Sequence, residues 1–361
     1  MTQHPTRPSP RPRLRELGFT IGRLPTGPLN AITDVGGVAV GHCTLISDEP
    51  RVARTGVTVV KTRPVGEESD LCCAAIHSFN GNGEMTGSHW LAESGLLSGP
   101  VAITNTHQVG IVRDALVEHE VRQGHDFSWC LPVVAETYDG FLNDVEAFHV
   151  TADDVFAALT DASTGAVAEG NVGGGTGMIC HEFKGGIGTS SRIVDTDGAG
   201  TFTLGVLVQA NYGSRMDLRL DGLHVGAAID TDIVPPPTDP SVADAGSIIV
   251  VIATDAPLVA DQCKRLAQRA TVGLARAGGY GSNGSGDIFL AFSTANRISV
   301  TGSEPVTMRA MPIEHISPLF RAAAEAVEEA IWNAICAAET MTGFRDRIVH
   351  AIPIDRLTAL H

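Results

Sequence analysis

A layered α/β or α+β sandwich is the fold class this sequence predicts, with glycine-rich turns gathered at one edge of its sheets. Three observations carry the expectation. Strand-like and helix-like stretches mix in an order that does not strictly alternate. Glycine contributes 40 of 361 residues, about 11 % against a usual 7 % or so, so tight turns and close backbone approaches recur. A chain of 361 residues also exceeds one small core, which leaves one large two-layer sheet assembly or two domains.

Charge narrows the function classes. The net charge is −16, from 25 Lys+Arg against 41 Asp+Glu, which argues against nucleic acid or an anionic membrane as partner. Seven cysteines, an odd number without a C-x-x-C pair, sit mostly in apolar runs and read as reduced core residues of a cytoplasmic protein. No stretch approaches the roughly 20 apolar residues of a membrane span, and the N-terminus lacks the apolar core of a secretory signal. Residues 1–14 form a Pro/Arg-rich arm, expected to be disordered or to embrace a neighbouring subunit. Thirteen histidines include no H-E-x-x-H and no close Cys/His cluster, so no metal is expected.

In chain order, short strands entered through tight turns are expected at 38–44 and 57–60. Cys72 to Ser78 is a further strand, ending in Asn80-Gly81-Asn82-Gly83-Glu84, either a ligand-facing loop or a plain turn. A short helix within 86–97, a strand at 101–104 and a helix at 111–122 follow; His107 between the last two is an acid/base group or a structural hydrogen-bonder. The run Cys130 to Ala135 leads into Glu136-Thr137-Tyr138-Asp139-Gly140, where Glu136 suits a cationic amine and Tyr138 a hydrogen bond to a polar ligand. Thr151 caps a helix through Val155, Ala158 and Leu159. The loop Asn171 to Met178 is glycine-rich but fits no phosphate-binding pattern. The strand Thr201 to Ala210 ends at Asn211, whose amide suits oxyanion stabilisation or turn capping.

The one good linker is 231–246, and its proline run cannot join a central sheet. It delivers Gly246-Ser247 to the mouth of Ile248 to Ile252, a run too apolar and too short for anything but a buried strand. Taken alone, Ser247 is a loop serine that starts a strand. A hydroxyl beside a permissive glycine is also where an N-to-O acyl shift can begin, cutting the chain before Ser247 and leaving nucleophile and α-amine on one residue. A helix from Pro257 to Gly278 follows, then Asn283-Gly284-Ser285-Gly286-Asp287 opening the strand Ile288 to Phe292. Ser285 and Asp287, two apart, share a strand face and form a relay if the two strand tips are neighbours. Last comes a long helix from Ser317, with Glu325, Glu328 and Glu329 on a solvated face.

Several stretches together carry a specific likeness. They are Arg15-Glu16-Leu17-Gly18, Pro25 to Val35, Thr104-Asn105-Thr106-His107, Ala135 to Gly140, Gly173 to Met178 and Asn283 to Asp287. In this order they resemble the L-aminopeptidase/D-amino-acid esterase-amidase family, which includes the β-peptidyl aminopeptidases. The resemblance implies a four-layer αββα sandwich of the kind shared with ornithine acetyltransferases, similar to N-terminal-nucleophile hydrolases. It implies one hydrolase domain over 15–361, self-cleaved into 1–246 and 247–361, in a homotetramer of such pairs. By the same resemblance Ser247 matches the nucleophile, Gly246-Ser247 the cleaved bond, and Ser285 with Asp287 the serine-plus-carboxylate pair, where some members carry Glu. Tyr138 and Asn211 match oxyanion-stabilising residues, Glu136 the group holding the substrate amine, and Trp129 a wall of the side-chain pocket.

The chemistry is coherent in its own terms. An α-amine has a reference pKa near 7.7–8.0, so much of it can accept the serine proton at neutral pH. Either that amine or Ser285 serves as the base. The expected activity is a cofactor-free serine aminopeptidase acting on short peptides, amides or esters with a free amino group. The rivals are an acyltransferase on the same scaffold, whose relatives use threonine as nucleophile, and a non-catalytic binding homologue.

Overall fold

The computed structural model describes residues 11–64, 70–124, 129–237, 246–300 and 302–361. In chain order its strands are β1 (Ala39–Ser47), β2 (Ala53–Lys61), β3 (Leu71–Gly81), β4 (Leu96–Leu97), β5 (Val101–Asn105), β6 (Val133–Thr137), β7 (Ile179–Cys180), β8 (Phe183–Lys184), β9 (Gly186–Asp195), β10 (Thr201–Asn211), β11 (Ser247–Thr254), β12 (Gly286–Ile298), β13 (Met341–Thr342) and β14 (Ile348–Val349). The helices are α1 (Ser88–Ser94), α2 (Val109–Arg122), α3 (Ala152–Asp161), α4 (Val225–Ala228), α5 (Ala260–Ala267), α6 (Ala270–Arg276), α7 (Ser317–Ala337) and α8 (Ile354–Thr358). Two sheets dominate, one in the order β1-β2-β5-β6 and one in the order β4-β3-β12-β11-β10-β9.

Side-chain alternation turns these strands into layers. On β11, Ile249, Val251 and Ala253 meet Val60, Ile103 and Ala135 of the smaller sheet, while Ile248, Val250 and Ile252 meet residues of α5, α6 and α7. Both faces are therefore buried, which is why this strand reads as an unbroken apolar run. On the far side of the smaller sheet, Val57, Val59, Ala102 and Val134 pack against Val112 and Leu116 of α2 and Val155 and Leu159 of α3. The result is helix, sheet, sheet, helix, the expected four layers.

Several local expectations shift. The helix expected from Pro257 to Gly278 is two, α5 and α6, because the Arg269 N–H turns back to the Leu266 carbonyl three residues away. The strand expected from Cys130 begins at Val133, so Glu136 lies within β6 and not past it. Residues 238–245 of the linker and 1–10 of the arm lie outside the described residues. From Arg11 onward the arm is docked: the Arg11 guanidinium donates to the Cys336 and Ile352 carbonyls, and Leu14 is fully buried.

The largest correction concerns α7. Glu325, Glu328 and Glu329, expected on a solvated face, are all buried. Arg192 of β9, itself fully buried, donates to Glu329 at 2.7 Å; Arg15 donates to the same carboxylate at 2.7 Å, and Arg276 pairs with Glu328 at 2.5 Å. Burial pushes the Glu329 carboxyl up, but the hydrogen bonds and charges of Arg15, Arg192 and Asn30 outweigh it and hold the carboxyl below its ordinary range. Removing one partner of a buried pair strands the other charge, at a cost of about 3–5 kcal/mol. Arg192→Leu is expected to lose that much in urea unfolding; an unmoved midpoint with an unchanged slope would refute it.

Candidate active site

Ser247 is the first residue of β11, paired in register with Asn211 at the end of β10 and with Gly286 at the start of β12. Alternation from Ile249 and Val251 turns its hydroxyl into the space between the sheets, where it is 7 % exposed. The Gly286 N–H donates there twice, to Ser247 Oγ at 3.1 Å and to the Gly246 carbonyl at 3.2 Å. One backbone donor thus touches both the candidate nucleophile and the carbonyl of the candidate scissile bond. This contact was invisible in the sequence, because it depends on two strand tips 39 positions apart lying side by side.

Ser285 and Asp287 are brought to the same tip, with a difference. Ser285 Oγ donates to Asp287 Oδ1 at 2.5 Å, as the spacing predicts. Asp287 pairs with Ile248, however, and alternation puts both on the helix side, away from the Ser247 hydroxyl. Its carboxylate accepts a hydrogen bond from the Ile248 N–H. The pair therefore lies against the main chain of the serine, where a new α-amine would appear. Burial pushes the Asp287 carboxyl up to about 6, against the hydrogen bonds from Ser285 and Ile248 that favour its charged form.

The Asn80 to Glu84 loop is what sets this corner. The register of β3 against β12 slips between Asp287 and Ile288, a bulge beside the site. Asn80 Nδ2 donates to the Ser282 carbonyl at 2.7 Å and also to that of Ser285, and Asn82 Nδ2 to that of Gly284 at 2.8 Å. The loop fixes Ser285 and also approaches Glu136. Glu136 Oε1 accepts from the Glu84 N–H at 2.9 Å and Oε2 accepts from the Thr106 hydroxyl. A Cβ on Gly83 would lie 3.2 Å from both Glu136 Oε1 and Gly286 Cα, so only a bare glycine separates this carboxylate from the nucleophile's neighbour. Glu136 is 3 % exposed, and burial raises its pKa against those two hydrogen bonds.

On the other flank, Asn211 shares the inter-sheet face with Ser247. Its Oδ1 accepts from the Ile179 N–H at 2.8 Å and its Nδ2 donates to the Tyr138 carbonyl at 3.0 Å, leaving the second amide proton for a ligand. Buried Lys184 donates to the Met178 and Gly185 carbonyls at 2.8 Å and pins the hairpin that carries Ile179. The half-exposed Tyr138 ring folds over Gly140, whose missing side chain makes room for it. A cavity of about 280 Å³ opens beside Tyr138 and Asn211.

Trp129 is not brought to Ser247 within the chain. It packs edge-on against Trp90, ring centroids 5.7 Å apart, in a groove that includes Pro132 and Ser299. Ser299 follows the far end of β12, on the order of 40 Å along the strand from Gly286. Within one chain Trp129 lines this groove and not the cavity beside Asn211. His107 stacks on Phe148 and lies near enough to Glu136 for its charge to favour the ionised carboxylate.

The profile of peptidase family S58 matches residues 30–349. The chain belongs to peptidase family S58. It is 47 % identical to the beta-peptidyl aminopeptidase BapA of Sphingosinicella microcystinivorans, over 97 % of this chain and 91 % of that protein. A solved Burkholderia sp. beta-aminopeptidase superposes with a TM-score of 0.90 at 51 % identity, covering 96 % of this chain and 98 % of its own. The L-aminopeptidase D-Ala-esterase/amidase of Ochrobactrum anthropi also gives a TM-score of 0.90, at 46 % identity over 97 % and 98 % of the two chains. That protein is described as a prototype for the serine aminopeptidases and a new variant among the Ntn hydrolase fold. The family and the αββα layering expected from the sequence are therefore borne out for this S58 chain.

Proposed function

We propose that this S58 chain is a self-activating serine aminopeptidase that releases N-terminal residues from short peptides, amides or esters. The observation that carries the reading is the Gly286 N–H bridging Ser247 Oγ and the Gly246 carbonyl. A donor on that carbonyl stabilises the oxyanion formed when Ser247 attacks it, the first step of an N-to-O acyl shift. Hydrolysis of the resulting ester separates 1–246 from 247–361 and frees the α-amine of Ser247. That amine then takes the hydroxyl proton as substrate is attacked, with Ser285 and Asp287 beside it to relay or hold the proton.

Glu136 pairs with the substrate ammonium, which selects an unblocked N-terminus. Asn211 supplies an amide proton to the substrate oxyanion, and the Gly286 N–H is free to join it once Gly246 has left. An acyl group from an amino-acid amide should accumulate on the fragment that begins at Ser247, visible by denaturing mass spectrometry of a quenched reaction. An adduct on the other fragment would sink the assignment. The acyltransferase reading is disfavoured because Ser247 stands where those relatives carry threonine.

The pH profile has a defined sign. Both the α-amine, reference value near 7.7–8.0, and Asp287, at about 6, must be deprotonated to work. The logarithm of kcat/KM should therefore fall with slope one as pH drops below the amine pKa, and with slope two below about 6. In Asp287→Asn the slope should stay at one; a profile identical to the wild type would remove Asp287 from the mechanism.

A further inference from the structure

We infer that the cavity beside Asn211 receives the leaving-group side of a peptide and that Arg345 binds the peptide's C-terminal carboxylate there. The inference rests on the reading under Proposed function and adds which substrates that site prefers. Strand order sets the direction. Along the larger sheet β3, β12, β11 and β10 are neighbours, and Gly286, Ser247 and Asn211 lie side by side at one end of it. Glu136 reaches the nucleophile on the β12 side, through Gly83 and Gly286. The cavity lies on the β10 side, walled by Asn211, Tyr212 and Gly213. A substrate held at its ammonium by Glu136 and attacked at Ser247 therefore continues, past the scissile bond, toward the cavity.

The same cavity is also lined by Phe344, Arg345 and Arg347. Arg347 is committed, donating to the Phe141 carbonyl at 3.4 Å and lying over the Phe141 ring. Arg345 is exposed and rests over Phe344, 5.0 Å from the ring centroid; among the described residues it makes no ion pair. Of the acidic side chains on the wall, Asp144 is already paired with Arg51 at 2.5 Å, and Glu146 is exposed.

Arg345 and Asp346 both take left-handed backbone, φ 60° and 57°, which aspartate tolerates but is uncommon for arginine. The turn is held in it by the Gly343 N–H on the Arg347 carbonyl at 2.9 Å and the Phe344 N–H on the Leu142 carbonyl at 2.7 Å. A guanidinium presented on a fixed turn, in a chain of net charge −16, is suited to a carboxylate. The preferred substrates are accordingly short peptides with a free C-terminal carboxylate.

The test compares a dipeptide with the same dipeptide amidated at its C-terminus. In the wild type the free acid should be the better substrate by kcat/KM. In Arg345→Asn, which removes the cation while suiting left-handed backbone, the ratio of acid to amide should fall about tenfold, as expected for one charge-assisted pair. Arg345→Lys should recover part of it. A ratio unmoved by Arg345→Asn, or one lost equally in the Lys variant and the Asn variant with the amide rate lost too, would overturn this inference while leaving the aminopeptidase reading standing. Failure of the wild type to hydrolyse either compound would overturn both.

Discussion

Ser247→Ala is expected to remain a single 361-residue chain and to lose peptide hydrolysis by on the order of 10⁴-fold or more. Two separate steps fail in this variant. The acyl shift has no hydroxyl to move the Gly246 acyl group onto, so the α-amine never forms. Even were the bond cut by other means, no nucleophile would stand between Asn211 and Gly286. The wild type should give two fragments, 1–246 and 247–361, in denaturing mass spectrometry, with hydrolysis rising as they appear. An intact wild type with full activity would refute the scheme, as would cleavage of the Ala variant at the same bond. The substitution removes one oxygen at the end of a strand whose apolar faces are untouched, so unfolding midpoints of uncut Ala variant and uncut wild type should agree.

Glu136→Gln should lower kcat/KM for a free dipeptide by about 10²–10³, the scale of losing a buried partner to a charged group. Among the described residues its carboxylate accepts from a hydroxyl and one backbone N–H, so it keeps lone pairs to offer an ammonium. The loss should fall on binding of the free amine, and the gap between free and N-acetylated substrates should shrink. Self-cleavage provides the control. The Gly246 carbonyl sits in an unbroken chain with no ammonium beside it, so fragments should form at the wild-type rate. Were cleavage to stop in Glu136→Gln, the residue would belong to the acyl-shift machinery and not to substrate recognition.

Much of this site was legible in the residues. A glycine and serine at the mouth of Ile248 to Ile252 marks a strand-tip hydroxyl, because a run buried on both faces has to end at a polar edge. The Ser285–Asp287 hydrogen bond follows from period-two alternation. What alternation does not supply is which face of the sheet that pair takes relative to Ser247. That depends on the register of β11 with β12, set by contacts between residues 39 apart. Trp129 shows a related limit: it lies seven positions before Glu136, but it precedes β6, and that strand sets it at the other end, in the groove with Trp90 and Pro132.

The three glutamates of α7 show the same division. Leu319, Ala323, Val327 and Ile331 mark one inward stripe, and helical periodicity leaves Glu325, Glu328 and Glu329 off it. Periodicity sees one helix at a time, and cannot register that Arg15 from the chain's start and Arg192 from β9 close over the other side. Family, layer types and the identity of the chemical groups can be read from the residues alone, since these rest on local pattern. Packing sets how they meet: the Gly286 N–H on two atoms of the Gly246-Ser247 unit, Glu136 one glycine away from Gly286, and Arg345 lining the same cavity as Asn211. Contacts between distant segments are made by sheet register and loop closure, and those are properties of the packed whole.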